Sequence, residues 1–243
     1  MIEQGHTQPW AERLPMPAAE SMTNAQRAAA QSLIDGPRKA VLGPFIPLLQ
    51  SPALMDRIGT LGEYLRFDSA IDTRLRELVT CAVARHVGNQ FEWLLHGTLA
   101  VKAGVSADAI EGLRLGRRAT PLAEDEQIVL DFTLELLQNN GVSQPTYAAV
   151  ESRFGQRTVV ELSALVGYFD MVSWVMNVAH TGVRLFSVQK VTVRALRIGA
   201  GFRRVPLASR CRFTSFCYPS HGLPGRANSE LISAAGSCFP CSL

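Results

Sequence analysis

Cysteine is nearly absent from most of this 243-residue chain. Residues 1–186 contain Cys81 alone, and the other four cysteines all follow Ser187. A dithiol redox centre needs one thiol that attacks and a second that resolves the product, so residues 1–186 lack the groups for such a centre. Cys81 itself lies in an apolar helical pattern, where an isolated thiol is expected to be an inert core residue.

Several common site motifs are missing as well. The sequence has no Walker loop, no dinucleotide-binding fingerprint and no HExxH motif, so we expect no cofactor and no metal. No apolar run reaches the roughly 20 residues of a membrane span, and the N-terminal residues lack the apolar core of a secretory signal. These absences predict a cytoplasmic protein. We expect no membrane and no nucleic-acid partner, since no recognition motif accompanies the basic residues near the C-terminus.

The residues that are present predict an all-α fold, a helical bundle. Hydrophobic residues make up 47% of the chain, enough for a sizeable core. Strand-like alternation is absent from the region before residue 187, where apolar helical patterns are separated by glycine, proline and capping residues. We expect an ordered loop at 36–50 and helices at 24–35, 51–67, 72–87, 89–103, 106–116, 122–138, 143–154 and 158–186.

Composition divides the chain into three parts. Residues 1–22 are rich in proline and polar side chains and are expected to form an N-terminal arm, followed by the helical domain at 23–186. From Ser187 onward there are eight basic residues and one acidic residue, and Cys238 and Cys241 form a CxxC pair. A zinc site would need a second pair at regular spacing. We expect this tail, residues 187–243, to be disordered or non-native, because it has little apolar periodicity with which to form a core.

The candidate chemistry lies in the stretch RLRELVTCAVARHVGNQFEWLLH, residues 74–96. Glu92 and His96 are four residues apart, so on a helix they share a face and can form a hydrogen bond. A carboxylate paired with an imidazole can transfer protons, although an exposed pair of this kind can also be purely structural. Glu77 lies in the preceding apolar helix and needs a partner, since a buried unpaired carboxylate is costly. His96 or a neighbouring arginine can supply that partner.

Three further residues are candidates for substrate binding, each with a structural alternative. Asn89 can hold a substrate oxygen or cap the helix that follows it. His86 can contribute to the site or complement the dipole at the end of its helix. Arg38 lies in a Gly/Pro-rich loop and can clamp a carboxylate through its guanidinium fork, or it can be a solvated surface residue.

The offset between Glu77 and His96 is repeated by Glu161 and His180. Both pairs are nineteen residues apart, and each glutamate is followed by leucine in an apolar helix. The second pair has Met176 where Glu92 would stand, so it lacks the carboxylate next to the imidazole. We do not expect a second site of the same kind.

The same residues carry a family resemblance. Alkylhydroperoxidase partner proteins have Glu, eleven residues, Cys, two residues, Cys, three residues and His. That frame gives Glu77, Asn89, Glu92 and His96 here, with both cysteines replaced. The pattern Glu-x-x-x-His, together with the flanking GPFIPLLQSPAL, GEYLRFDSAIDTRLREL and VVELSALVGYFDMVSWVMN segments, resembles the carboxymuconolactone decarboxylase branch of this superfamily. The resemblance covers about residues 24–186.

This resemblance implies an alkylhydroperoxidase D-like fold, a homo-oligomer (a trimer or a hexamer) and a small acid or lactone substrate. It implies cofactor-free decarboxylation, or related proton transfer, on a lactone similar to 4-carboxymuconolactone in aromatic-compound catabolism. His96 would be the acid or base, oriented by Glu92. The alternatives are a non-catalytic oligomeric or binding protein, or a peroxiredoxin-type peroxidase. The latter is the least favoured, because neither Asn89 nor Glu92 can replace a thiol.

Overall fold

The computed structural model describes residues 11–182, and within that range every regular element is helical. The eight α-helices are α1 Asn24–Asp35, α2 Phe45–Leu48, α3 Pro52–Glu63, α4 Thr73–Val87, α5 Gln90–Lys102, α6 Ala107–Arg114, α7 Glu124–Asn139 and α8 Gln144–Ala179. A short 3-10 turn at Ala19–Ser21 precedes them, and a π-helical turn at Tyr64–Asp68 follows α3. The prediction of an all-α fold is confirmed.

Local sequence signals account for most helix boundaries. Thr23 caps α1 through a reciprocal capping box with Gln26, and Asp72 accepts a hydrogen bond from the backbone N–H of Arg74 at the start of α4. Gly88 ends α4 in the left-handed conformation, with φ 76°. These ends lie where capping residues and glycine predicted them.

Two segments differ from the sequence predictions, and a third agrees with its prediction. The expected loop at 36–50 contains the one-turn helix α2. The predicted break between two C-terminal helices is present at Gly155, where φ is 83° within α8. The second of these helices ends at Ala179 rather than Phe186, because His180 adopts a left-handed conformation with φ 53°. The predictions for residues 1–10 and for the tail at 187–243 lie outside the described residues.

Helix α4 is the central element of the bundle. It packs against α5, α6, α7 and α8, and eleven of its fifteen residues are buried. Helix α8 is long and apolar enough to cross a membrane by length and composition, which the sequence analysis did not anticipate. Half of its most apolar stretch is buried inside the protein, as is typical of the core helix of a globular domain.

The described part of the N-terminal arm is attached to the end of α8. The backbone N–H of Arg13 donates to the carbonyl of Ala179 at 2.8 Å, and the backbone N–H of Gly182 donates to Glu12 at 2.8 Å. Met22 is buried in the core. The arm predicted from the proline-rich composition therefore packs on the helical domain from residue 12 onward.

Candidate active site

The turn between α4 and α5 brings the candidate residues together. Gly88 reverses the chain with a positive φ, which costs glycine less than any other residue, and α5 then packs back along α4. Glu77 on α4 consequently faces His96 on α5, although nineteen residues separate them. Glu92 lies one helical turn before His96 on the same face of α5.

His96 is held between two carboxylates, and we call these three residues the Glu77–His96–Glu92 triad. Its Nδ1 lies 2.5 Å from Oε2 of Glu77, and its Nε2 lies 3.0 Å from Oε2 of Glu92. The three side chains are only 4–5% exposed. Phe169 of α8 packs edge-on against the imidazole, with ring centroids 5.1 Å apart. The predicted contacts of His96 with both carboxylates are confirmed, while a catalytic role for the three residues stays a prediction.

The two carboxylates keep the imidazole protonated. Burial lowers the pKa of His96, but the hydrogen bonds and negative charges of Glu77 and Glu92 outweigh burial and raise it to about 9. Burial raises the pKa of Glu77, but the hydrogen bond and charge of His96 lower it. The charges of Arg76 and Arg66 lower it further, and the pKa of Glu77 lies below its usual value. At neutral pH both ring nitrogens of His96 therefore donate hydrogen bonds.

Asn89 is the cap of α5. Its Oδ1 accepts a hydrogen bond from the backbone N–H of Glu92 at 2.9 Å. Its Nδ2 donates to Oδ1 of Asn177 at 2.9 Å and to the carbonyl of Ser173 at 3.3 Å. Asn89 thus fixes the first turn of α5 to α8 and positions Glu92. The capping interpretation is confirmed, whereas donation from Nδ2 to a substrate oxygen would require one of the two Nδ2 bonds to break.

His86 does not join the triad. It is exposed in the last turn of α4, where a basic side chain complements the helix dipole. Burial raises the pKa of Asp170, and the nearby charge of His86 partly offsets this by lowering it. The structure therefore supports the interpretation that His86 complements the dipole of α4.

Arg38 is a packed residue, so its interpretation as a solvated surface arginine is wrong. Its side chain is 10% exposed, and its guanidinium lies 4.5 Å from the centroid of the Phe45 ring. Nη2 donates to the carbonyl of Gly59 at 3.4 Å, and Nε lies 4.0 Å from a carboxylate oxygen of Glu63. Arginine stems bury well against apolar surface, which a Gly/Pro-rich loop does not reveal in a sequence.

Two further residues neighbour the triad: Arg76, one of the arginines expected as a possible partner of Glu77, and Tyr168, which the sequence did not indicate. Arg76 precedes Glu77 on α4, and its Nε lies 3.7 Å from Oε1 of Glu77. Tyr168 of α8 is buried beside Phe169, and the charge of Glu92 acts on its hydroxyl. Both lie in segments that carried the family resemblance, so that resemblance was the available signal.

The triad is closed in this structure, because each member is nearly inaccessible to solvent. Two surface depressions within residues 11–182 lie away from the triad, one against Asp56 and Arg57 and the other between α7 and the start of α8. Contact between a substrate and the triad therefore requires movement of the side chains around it. Cys81 is fully buried, as predicted, and burial together with the charge of Glu77 raises the pKa of its thiol well above the usual value.

Comparison with known structures identifies the fold. A peroxidase-related protein with an alkylhydroperoxidase AhpD core from Ralstonia eutropha JMP134 is 16% identical, with a TM-score of 0.58 over 69% of this chain and 90% of that chain. A peroxidase-related protein from Silicibacter sp. TM1040 is 16% identical, with a TM-score of 0.59 over 72% of this chain and 94% of that chain. The debrominase Bmp8, solved with 2,3,4-tribromopyrrole, is 10% identical, with a TM-score of 0.53 over 71% and 91%.

The family comparison includes the whole triad. Residues 52–135 match the model of the carboxymuconolactone decarboxylase family. No curated protein matches the chain. The structural relatives are too distant in sequence to transfer an activity, but they share the helical architecture on which Glu77, Glu92 and His96 are mounted. The resemblance drawn from the sequence is thus confirmed: residues 52–135 match the carboxymuconolactone decarboxylase family model, and the all-α fold is of the AhpD-like type.

Proposed function

We propose that this protein is a cofactor-free enzyme that transfers a proton during decarboxylation of a small carboxylated lactone. The observation that supports it is the imidazolium of His96, held by carboxylates at both nitrogens in a buried site. A protonated imidazole with a fixed orientation is a proton donor at neutral pH. Its pKa of about 9 keeps it loaded with a proton over the physiological range.

The proposed reaction breaks the bond between the ring carbon and the carboxylate. The electron pair of that bond moves toward the lactone carbonyl as CO2 departs, and a proton then adds to the carbon. Glu77 orients the ring through Nδ1, so we assign it the orienting role first expected of Glu92. Glu92 lies at Nε2, and we propose that it relays the proton from His96 to the substrate. A proton from water restores the imidazolium.

The geometry favours this reaction over peroxide reduction. A thiol peroxidase needs an accessible thiolate, but Cys81 is buried and its thiol is held protonated. The names of the structural relatives include peroxidase-related proteins and a debrominase. Those activities belong to those proteins, and the triad described here contains no thiol.

The test of the proposed function is CO2 release from a panel of carboxylated lactones by the purified full-length protein. We expect at least one γ-lactone acid to be decarboxylated without added metal or cofactor. A coupled dithiol-dependent peroxide assay run in parallel is expected to show no turnover. Peroxide reduction that is lost on Cys81→Ser substitution, with no CO2 release from any lactone, would refute the proposal.

We also propose that the protein is a homo-oligomer that associates through the outer face of α8. Exposed or half-buried small and apolar residues follow one another at alternating steps of four and three, which is the spacing of a helix–helix seam. They are Val160, Ala164, Gly167, Met171, Trp174 and Val178. Val160, Trp174 and Val178 are 69%, 57% and 65% exposed, which is unusual for large apolar side chains.

Substitution Trp174→Glu is expected to dissociate this oligomer, because a charge in an apolar seam loses its hydration without gaining a partner. Sedimentation velocity at micromolar concentration is the measurement. The matched control is Leu115→Glu, which changes another exposed apolar residue outside α8 and should leave the sedimentation coefficient unchanged. A wild-type protein that sediments as a monomer, or a Trp174→Glu protein that keeps the wild-type size, would contradict this proposal.

A further inference from the structure

A second cluster of polar side chains lies next to the triad, and its first member is Arg66. This residue is in the π-helical turn Tyr64–Asp68, where the backbone N–H of Ser69 donates to the carbonyl of Tyr64 at 2.9 Å. Such turns are rare and are found frequently at functional sites, since the extra residue redirects a side chain. The guanidinium of Arg66 is close enough to Glu77 and Tyr168 for its charge to act on both.

Arg38 and Tyr168 converge on the same region over Gly62. A Cβ placed on Gly62 would collide with the hydroxyl of Tyr168 and would lie 2.6 Å from Nη2 of Arg38. Only glycine lets the two polar groups approach the α3 backbone so closely. Arg38 comes from the loop before α2 and Tyr168 from α8, so two separate parts of the fold direct polar groups to the backbone of α3.

The two arginines retain unused hydrogen-bond donors. Nε of Arg38 and Nε of Arg66 are both buried and have no hydrogen-bond partner within residues 11–182. Buried donors in native proteins are nearly always paired, and an exception points to a missing ligand, ion or water. A guanidinium offers Nε and an Nη as a fork that matches the two oxygens of a carboxylate.

We propose that Arg38, Arg66 and Tyr168 form a carboxylate-binding subsite that holds the acid group of the substrate beside Glu92. This assignment rests on the proposed function, because it identifies the group by which a lactone acid is bound. It goes beyond the sequence prediction for Arg38 by adding a second guanidinium and a phenol. It also implies that the substrate enters on the side of the π-helical turn, where Arg66 and Glu63 are partly exposed.

The electrostatics of Tyr168 link the subsite to the triad. Burial is the largest cause that raises the pKa of Tyr168, and the charge of Glu92 raises it further against the lowering effects of Arg38 and Arg66. The phenol therefore stays protonated and can donate a hydrogen bond to an anion. Burial is the main cause that lowers the pKa of Arg38, and the charge of Arg66 lowers it further. Tyr168 and Glu63 act in the other direction and raise it, but they do not offset burial. An anion bound between the two guanidinium groups would relieve their repulsion.

The test is direct binding, measured by calorimetry with the full-length protein and without turnover. The probes are a saturated γ-lactone carboxylate, which has no unsaturated system to assist loss of CO2, and its uncharged methyl ester. We expect the acid to bind and the ester to bind far more weakly. Arg66→Gln is expected to weaken binding of the acid by roughly tenfold or more, and Arg66→Lys by less, because a lysine keeps the charge without the fork.

The control is Arg117→Gln, which removes an exposed arginine away from this region and should leave binding unchanged. Equal affinities for acid and ester, or an Arg66→Gln protein that binds the acid as the wild type does, would overturn the subsite. Two combinations of binding and CO2 release separate this proposal from the proposed function. Binding without CO2 release from any lactone supports the subsite and rejects the decarboxylase, whereas CO2 release that is insensitive to Arg66→Gln does the reverse.

Discussion

Replacing His96 by glutamine is expected to reduce decarboxylation of an active lactone acid by roughly 100-fold or more, which is the usual contribution of a positioned proton donor. Glutamine has a similar reach and can still donate one hydrogen bond to Glu77, but it has no proton to transfer. The measurement is the initial rate of CO2 release at pH 7 under saturating substrate. Glu92→Gln is expected to cause a loss of similar size, since it interrupts the proposed relay next to the substrate.

The control for His96 is His180→Asn, which changes the other histidine of the repeated offset. His180 adopts a left-handed conformation that asparagine tolerates, and it lies at the end of α8. This variant should retain the wild-type rate. Circular dichroism would establish that the His96→Gln protein is folded. A folded His96→Gln protein with the wild-type rate would show that the triad has a structural role only.

The second large effect concerns stability and pH. The pKa of His96 rises from its ordinary value of 6.5 to about 9 in the folded protein. Folding therefore favours the protonated form, and the resulting stabilisation is fully present below pH 6.5 and disappears as pH rises through about 9. This shift corresponds to a free energy on the order of 3 kcal/mol. For Glu77 the pKa is lowered, so its contribution is present above pH 4.5 and lost at more acidic pH.

We consequently expect the triad to stabilise the protein most between pH 4.5 and 6.5. Urea unfolding of the wild-type and His96→Gln proteins should be compared at half-unit pH steps from 5 to 10. The difference between their unfolding free energies cancels the titration of groups that do not contact His96 and should decline from pH 6.5 to 9. A difference that stays constant over this range would contradict the protonated state assigned to His96 at neutral pH.

The sequence was sufficient to predict the triad because its spacing coincides with a helix reversal. Glycine, asparagine and the family frame together indicated that Glu77 and His96 would meet. Glu161 and His180 show why the offset alone is not enough. Glu161 lies in α8 and His180 caps the C-terminal end of the same helix, so no chain reversal brings them together. A rise of about 1.5 Å per residue keeps them apart. Glu161 instead pairs with Arg157 and Tyr64.

The carboxylate-binding subsite could not be predicted in the same way. Its members come from a loop, a π-helical turn and α8, and no local sequence pattern specifies that these three segments meet. The π-helical turn in particular has no recognised sequence signal, and the helix predicted to run to residue 67 gave no reason to separate Arg66 from its neighbours. Arg38 was identified as a possible clamp, but its burial depends on Phe45 and Tyr168, which are distant from each other in sequence.

The Gly88 reversal also determines the rotational phase of α5 relative to α4. Each residue advances an α-helix by about 100°, so inserting one residue between Gly88 and Asn89 would rotate Glu92 and His96 together away from Glu77. The two helices could still pack, but the capping amide and the imidazole would face new neighbours. The length of this turn is therefore as strict a requirement of the site as the identity of its three ionisable residues, and relatives that keep the residues but alter the turn should not keep the proton-transfer geometry.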